Sequence, residues 1–326
     1  MSAGGDALVE SPLSPVSHEP PSGRQIEIRH GRQRAVVVEV GGGLREYDVD
    51  GQAVLDGYPV EAMADGGRGQ PLLPWPNRLA DGRYTFGGQE LQLPIDEVAR
   101  GNANHGLTRW LNWSPASQAS DRVQLDLVLH PRPGYPFTLQ LSIDYVLSEA
   151  GLTVRTTARN LGTGPLPFGA GQHPYLTVGT ASIDSATLHL PAQSRLELDA
   201  DRRLPTGRML PLHDTEHDFR VARPIGPLHL DDCFAQLERD PDGRAHVALG
   251  SPRTDEAVVL WMDQHYRYVQ VFSGDTLAPG RRRRGLAIEP MTCPPNAFST
   301  ETDVIVLQPD ETVSLEWGLV RRLAPS

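Results

Sequence analysis

The chain has 326 residues, a formal net charge of −11 and a sequence pI near 5.4. This acidic balance argues against nucleic acids and anionic membrane surfaces as partners, because both attract basic proteins. The hydrophobic share of 39% and the charged share of 22% are ordinary for a soluble globular protein. These values fit a protein that handles small molecules.

The N-terminal segment, residues 1–23, is rich in Ser, Pro, Gly and Glu and has few large apolar side chains. We expect it to be a disordered tail. It lacks the apolar stretch of a secretory signal, and no later run reaches transmembrane length. Two distant cysteines, Cys233 and Cys293, form no metal-binding motif. A reduced cytoplasmic location is therefore expected, although the sequence leaves one disulfide open.

From Gln25 onward, apolar and polar residues alternate in short runs, which is the pattern of half-buried β-strands. The runs are 25–30, 35–40, 123–129, 138–147, 152–158, 187–190, 257–261, 268–272 and 313–317. The 32 glycines and 29 prolines supply the turns that so many strands need. Long helical periodicity, internal repeats and a linker are not found. The sequence thus predicts an all-β protein with one large antiparallel β-sandwich domain over residues 24–326.

Two proline- and glycine-rich loops between residues 71 and 113 contain candidate binding residues. Arg78 has a guanidinium that can donate two parallel hydrogen bonds, and His105 can donate or accept one. Three nearby tryptophans, Trp75, Trp110 and Trp113, could stack on the apolar face of a ligand. Structural roles in loops and core explain each of these residues equally well.

A single histidine, His173, follows Gly169 and Gly171, which lack a Cβ and let the backbone approach its surroundings closely, and it precedes Pro174. Proline disfavours helix at the preceding residue, so His173 is expected in a stiff, extended segment. Its ordinary pKa near 6.5 suits a group that gives or takes a proton at neutral pH. The alternative is a partly buried histidine that is hydrogen-bonded to the backbone.

Two acidic positions follow apolar or strand-like sequence. Asp231 and Asp232 begin a strand, where neighbouring side chains point to opposite faces, so at most one of them faces a given site. Glu289 ends the apolar run 285–288 and precedes Pro290. A carboxylate at the end of a buried strand is costly unless it has a partner or a function. Glu289 is therefore the strongest candidate among the acids.

Two charged motifs have less specific interpretations. His213 and His217 match the H-x-x-E-H string of certain zinc peptidases, which requires a helix. Prolines and a glycine surround this segment and no helical apolar stripe accompanies it, so we predict no metal site here. The four arginines 281–284 are typical of a solvated loop, although a contact with an anionic ligand stays open.

Five short segments occur in the order found in the aldose 1-epimerase (galactose mutarotase) family, which the chain resembles over roughly residues 25–319. The five segments are Pro76-Asn77-Arg78, Asn104-His105-Gly106, His173-Pro174-Tyr175, Leu230-Asp231-Asp232-Cys233-Phe234 and Ile288-Glu289-Pro290. No single segment is specific, but five in order form a strong signature. A connecting loop around 204–207 and 218–220 also resembles that of the family.

The resemblance implies a galactose mutarotase-like supersandwich with a sugar bound in an open groove, and an isomerase that interconverts α and β anomers of an aldohexose. It implies that Glu289 removes the proton of the C1 hydroxyl and that His173 protonates the ring oxygen. The groups expected to hold the sugar are Asn77, Arg78, His105 and Asp231. Anomerisation moves only protons, so no metal or cofactor is expected. A sugar is the expected partner of a monomer or homodimer.

Three other functions stay open at this point. The first is a mutarotase for an anionic sugar, hexose 6-phosphate or sulfoquinovose. The second is a non-catalytic sugar-binding module, which would not need both His173 and Glu289. The third is a glycoside hydrolase that uses Asp231 and Glu289. Leu176 and Asp232 depart from the galactose-type pattern, which bears on the choice of sugar rather than on the reaction.

Overall fold

The computed structural model describes residues 19–323. Most of the predicted tail, residues 1–18, lies outside the described residues. The last five residues of that prediction belong to the folded domain: the amide of Gly23 donates to the carbonyl of Pro20, and Ser22 is buried and accepts from the amide of Val40. The boundary of the domain therefore lies N-terminal to residue 24.

Within residues 19–323 the chain forms 27 strands and very little helix. The first strands are β1 Gln25–His30, β2 Gln33–Val38, β3 Leu44–Val49, β4 Gln52–Ala53, β5 Pro71–Leu72, β6 Arg78–Ala80, β7 Arg83–Phe86, β8 Gln89–Gln92 and β9 Asn102–Asn104. The next are β10 Ser114–Gln118, β11 Arg122–Leu129, β12 Leu139–Ser148, β13 Gly151–Asn160, β14 Leu166–Phe168, β15 Gly171–Gln172, β16 Tyr175–Leu176, β17 Thr187–His189 and β18 Ala192–Leu198.

The remaining strands are β19 Pro205–Pro211, β20 Arg223–Pro224, β21 Asp231–Leu237, β22 Ala245–Gly250, β23 Glu256–Met262, β24 Tyr268–Phe272, β25 Leu286–Met291, β26 Ile305–Leu307 and β27 Thr312–Leu323. The helical elements are two 3-10 turns, Val98–Arg100 and Ile183–Ser185, and one α-helix, α1, Ala297–Thr300. Among the described residues, none of these helices is long and apolar enough to cross a membrane.

Two large antiparallel sheets dominate the fold. One has nine strands in the order β10-β11-β12-β13-β27-β23-β22-β17-β20. The other has eight, in the order β19-β18-β21-β24-β25-β15-β5, with β16 also paired to β25. A four-stranded sheet, β1 to β4, and three two-stranded pieces complete the fold. The predicted all-β antiparallel class is confirmed.

The core follows from the alternation seen in the sequence. In β12 every second residue from Leu139 to Leu147 is buried, so one face of the nine-stranded sheet is apolar. Side chains of both large sheets meet in one hydrophobic cluster, which includes Leu141 from the first sheet and Val271 and Ile288 from the second. The burial of this shared face explains why the sheets form a sandwich.

A break in the hydrogen-bond ladder beside β25 positions the site. Strand β15 pairs with β25 at Met291 and β16 pairs with it at Leu286 and Ala287. Between them lies the His173–Pro174 dipeptide, opposite Glu289 and Pro290. Pro290 has no N–H to donate to a neighbouring strand. Glu289 therefore lies inside β25 rather than at the end of a strand, and it faces the interruption that contains His173.

Close approach of the backbone at this break requires glycine. A Cβ on Gly171 would lie 2.7 Å from the Cβ of Pro76, and a Cβ on Gly169 would lie 2.6 Å from the Sγ of Cys293. The expectation that these glycines permit close contact therefore holds. Cys233 and Cys293 are both buried free thiols, so no disulfide joins them in residues 19–323.

Candidate active site

A cavity of about 300 Å³ opens on the face of the eight-stranded sheet that lies away from the shared core. Residues of β21, β24 and β25 form its floor, and the loops around residues 64–67, 77–78 and 97–110 form its walls. All six site residues expected from the sequence line this one cavity: Asn77, Arg78, His105, His173, Asp231 and Glu289. The volume suits a monosaccharide-sized ligand.

His173 and Glu289 form a buried histidine–carboxylate pair in the cavity. The Nε2 of His173 lies 3.3 Å from the Oε1 of Glu289, and their side chains are 5% and 2% exposed. Burial, followed by the charge of Asp231, raises the pKa of Glu289 well above its ordinary value. Burial, followed by the charges of Arg68 and Arg109, lowers the pKa of His173 to about 3. The carboxylate of Glu289 is therefore a stronger base, and the imidazolium of His173 a stronger acid, than the same groups in water.

Asn77 and His105 hold each other in an unusual backbone conformation. Both have positive φ, 56° and 61°, which non-glycine residues rarely adopt. The amide of Asn77 donates to the Nδ1 of His105 at 3.1 Å, and the amide of His105 donates to the carbonyl of Asn77 at 2.9 Å. Burial lowers the pKa of His105 well below its usual value. The neutral ring therefore carries its proton on Nε2, where it can donate to a ligand.

The ligand atoms of His105, His173 and Glu289 lie within 4.8 Å of one another, a spacing that a metal ion could use. The hydrogen bond to Nδ1 argues against that use. Because Nδ1 of His105 accepts the amide proton of Asn77, the Nε2 of this ring carries a proton and has no lone pair for a metal. The cluster is better suited to binding hydroxyl groups and moving protons.

Asp231 is fixed by two neighbours that sequence reasoning missed. Its Oδ1 accepts from the Nε2 of Gln270 at 2.7 Å, and its Oδ2 accepts from the Nε of Arg203 at 3.2 Å. Gln270 is the direct antiparallel partner of Glu289, so both point into the cavity. The Oε1 of Gln270 is buried without a hydrogen-bond partner among the described residues, which leaves an acceptor for a ligand hydroxyl. The sequence did contain a signal for Gln270, because its amide interrupts the otherwise apolar and aromatic run 268–272.

Arg78 lies at the start of β6 and is oriented by an acid. Its Nε donates to both carboxylate oxygens of Glu97, at 3.1 and 2.9 Å. Glu97 also accepts from Asn102 at 2.8 Å and from Arg100 at 3.1 Å. This network fixes the plane of the Arg78 guanidinium at the cavity wall, and nothing in the sequence pattern identified Glu97.

Several expectations about the surroundings of the site are corrected. Trp75 and Trp113 are buried, with Trp75 packed against Phe298, so they cannot stack on a ligand. Trp110, in contrast, is 55% exposed and lines the cavity. Leu176 is buried and bridges to Leu55 on a neighbouring segment.

Asp232 points to the opposite face from Asp231, as the alternation predicts. It accepts from Arg195 at 2.9 Å, and the Nε2 of His217 lies 3.7 Å from it. The H-x-x-E-H segment 213–217 forms turns rather than a helix. The two departures from the galactose-type pattern, at residues 176 and 232, therefore both lie outside the cavity lining.

The arginine run 281–284 does not overhang the cavity. Among the described residues that line it, none belongs to this run. Arg281 donates to the carbonyl of Gly57, Arg283 pairs with Asp184 and Asp275, and Arg284 pairs with Asp56. Arg282 is exposed and donates to the carbonyl of Leu277. The structure therefore agrees with the interpretation of this run as a solvated loop, rather than as a contact for an anionic ligand in the groove.

The site can be set beside known proteins. A sequence profile described as aldose 1-epimerase matches residues 24–319. Protein YihR of Escherichia coli (strain K12) is 34% identical over 306 residues, which cover 93% of this chain and 94% of YihR. Maltose epimerase of Levilactobacillus brevis is 25% identical over 257 residues, 72% of this chain and 74% of that enzyme. The structure of a GalM/aldose epimerase homologue from C. elegans has a TM-score of 0.81 at 17% identity, and covers 93% of this chain and 99% of that one.

Proposed function

Because the chain belongs to the aldose 1-epimerase family, we propose that it interconverts the α and β anomers of an aldohexose by acid–base ring opening and reclosure. The observation that carries this proposal is the His173–Glu289 pair, 3.3 Å apart in a monosaccharide-sized cavity. A binding module needs no such pair, whereas anomerisation needs one group to take a proton and one to give it.

The proposed reaction moves two protons and breaks one bond. The carboxylate of Glu289 takes the proton of the C1 hydroxyl while the imidazolium of His173 protonates the ring oxygen, so the C1–O5 bond breaks and an aldehyde forms. Rotation about C1–C2 presents the other face of the carbonyl. The C5 hydroxyl then attacks C1, His173 takes back its proton, and Glu289 returns a proton to O1. His105, as an Nε2–H donor, would hold a ring or hydroxyl oxygen in place.

The two pKa directions place one shared proton on the pair. In the empty cavity burial favours protonated Glu289 and neutral His173. A sugar hydroxyl that donates to the carboxylate stabilises its charged form, which favours transfer of the proton to His173. Binding of the sugar would therefore produce the carboxylate and imidazolium that start the reaction.

The direct test is polarimetry or NMR on a panel of freshly dissolved aldoses. We expect the wild-type protein to accelerate the approach to anomeric equilibrium above the spontaneous rate for at least one aldohexose. Binding without acceleration would instead support the non-catalytic sugar-binding module. Release of a new reducing sugar from a glycoside would support the glycoside hydrolase.

The proton sharing predicts an unusual pH dependence. We expect kcat/KM, corrected for spontaneous mutarotation, to show no inflection from His173 near the ordinary histidine pKa of about 6.5, because the pKa of His173 is lowered to about 3. The fall of kcat/KM with rising pH should instead come from Glu289, which loses the shared proton at its raised pKa. An inflection near pH 6.5 that disappears in His173→Asn would contradict the shifted pKa of His173.

The holding residues should affect binding of the sugar as well as its reaction. Asp231→Ala and Arg78→Ala should each raise KM by about 10-fold or more, since hydrogen bonds to charged groups contribute about 1.5–3 kcal/mol. Initial-rate kinetics on the preferred aldose would measure this effect. Asp232→Ala is a matched control, because this neighbouring carboxylate points away from the cavity. An unchanged KM in both Asp231→Ala and Arg78→Ala would contradict their role in binding.

A second candidate function is the mutarotation of a sugar that carries phosphate or sulfonate. It is favoured by three guanidiniums in the cavity lining, those of Arg78, Arg100 and Arg109. Arg109 donates to Asp96 at 3.1 Å, but its buried Nε has no partner among the described residues, and burial lowers its pKa. An anionic substituent that accepts a hydrogen bond from this Nε would offset the cost of burying the charged guanidinium.

The choice of sugar can be tested by comparing kcat/KM for glucose and galactose with that for glucose 6-phosphate and sulfoquinovose at two ionic strengths. A preference of more than about tenfold for an anionic sugar, equivalent to about 1.4 kcal/mol, would select the second candidate. The preference should then weaken in high salt and in Arg109→Ala. Arg208→Ala is the control: it removes an exposed arginine outside the cavity and should leave the preference for the anionic sugar unchanged.

A further inference from the structure

A buried arginine, Arg68, lies behind the cavity and is held rigidly. Its side chain is 2% exposed. Its NH1 donates to both the carbonyl and the Oδ2 of Asp56, each at 2.8 Å, and its Nε donates to the Oδ1 of Asp65 at 3.0 Å. A buried charge is costly unless well paired, and these three bonds fix the plane of the guanidinium.

Arg68 is the outer layer of a stack that ends at His173. Its Cζ lies 4.0 Å from the ring centroid of Tyr175, and the Tyr175 ring is stacked on His173 with centroids 5.0 Å apart and planes 13° apart. The hydroxyl of Tyr175 donates to the carbonyl of Gly66 at 2.9 Å. Tyr175 is thus fixed in its plane by the loop that carries Arg68, and it presents a flat face to the imidazole.

The same loop also holds His173 through its backbone. The amide of Gly69 donates to the carbonyl of His173 at 2.9 Å, and the amide of His173 donates to the carbonyl of Gln70 at 3.1 Å. Gly67 has φ of 75°, and a Cβ there would lie 2.6 Å from the Cδ2 of His173. The loop therefore contacts the imidazole ring and hydrogen-bonds both the amide and the carbonyl of His173, so the imidazole has little room to rotate.

We propose that Arg68, acting through Tyr175, is a positioning residue that fixes the imidazole plane of His173 against Glu289. The proposal rests on the proposed acid–base function of that pair. Proton transfer needs the donor within about 0.5 Å of its productive place, and a misplacement of about 1 Å can lower a rate about 100-fold. Neither Arg68 nor Tyr175 lines the cavity, so their effect on the reaction must pass through His173.

The charged groups around His173 support the same role. Glu289 faces it from β25, His105 and Arg109 face it from the cavity wall, and Arg68 lies behind Tyr175. The cations oppose protonation of His173 in the empty site, while Glu289 favours it. Removal of the guanidinium of Arg68 therefore changes both the position and the acidity of the ring.

The kinetic test compares Tyr175→Leu, Tyr175→Phe, Arg68→Met and Arg68→Lys. Tyr175→Leu and Arg68→Met should lower kcat by about 10- to 100-fold with KM changed less than about 2-fold, because the loss acts on the transition state. Tyr175→Phe keeps the stacked ring and should rescue kcat to within about 3-fold of wild type. If Arg68→Met does not fold, Arg68→Lys, which keeps the charge but loses the planar stack, should still lower kcat. Retention of kcat within about 2-fold in Tyr175→Leu, or equal losses in the Leu and Phe variants, would overturn the proposal.

A measurement without substrate separates this inference from the proposed function. In the wild type with ¹⁵N-labelled histidine, the His173 ring should give one sharp set of signals. Tyr175→Leu should broaden or split that set, and Tyr175→Phe should not. Arg223→Met is a matched control, since it removes an arginine stacked on Phe219 at 4.3 Å outside the cavity lining. Unchanged His173 signals in Tyr175→Leu would overturn the positioning role even if the protein is an active mutarotase.

Discussion

Glu289→Gln is expected to lower kcat for anomer interconversion by about 100- to 10,000-fold, the usual contribution of a positioned acid or base. The amide keeps the shape of the carboxyl group and can still donate or accept hydrogen bonds, but it cannot take up a proton. Because wild-type Glu289 is buried and its raised pKa favours the neutral form, the neutral amide should leave the fold intact. Polarimetry on the preferred aldose and a thermal unfolding curve would measure both effects.

Glu316→Gln is the matched control for this experiment. Glu316 is also a strand glutamate, but it lies in β27 of the nine-stranded sheet, where it pairs with Arg155. Its substitution should leave kcat unchanged. A positioned base contributes at least about 100-fold to kcat. If Glu289→Gln keeps more than about a tenth of wild-type kcat, the loss is too small and Glu289 is not the base.

His173→Asn is expected to lower kcat by a similar factor of about 100-fold or more, with KM changed less than about 3-fold. The physical reason is that the ring gives its proton to O5 only as the C1–O5 bond breaks, so its loss acts on the transition state. An asparagine side chain cannot be protonated. Initial-rate kinetics over a range of sugar concentrations would separate the two parameters.

The double variant Glu289→Gln/His173→Asn adds a sharper criterion. Because the two groups share one proton, either single change should remove most of the catalysis, and the double change should cost little more than one of them. His246→Asn, a strand histidine outside the cavity lining, is the control. A raised KM with unchanged kcat in His173→Asn, or losses that multiply in the double variant, would contradict a paired acid and base.

The sequence by itself determined the class of fold and the candidate residues. Period-two alternation is a local property of the chain, so strands such as Gln25–His30 and Tyr268–Phe272 could be predicted at their observed bounds. The five segments of the family signature contain all six residues that the structure brings to one cavity. The neighbouring acids Asp231 and Asp232 could also be assigned to opposite faces, since adjacent side chains in a strand alternate.

Only the tertiary structure decided which distant residues meet. Gln270 could be placed beside Glu289 only once the register of β24 against β25 was known, and Arg68 reaches Tyr175 through a loop with no periodic pattern. Conversely, Arg281, Arg283 and Arg284 lie only five to eight residues before Glu289 in the sequence but bind acceptors away from the cavity lining. Sequence distance carries little information about such contacts, because strand register and loop path are fixed by long-range packing. Local alternation specifies the strands, whereas the burial of one shared core specifies the site.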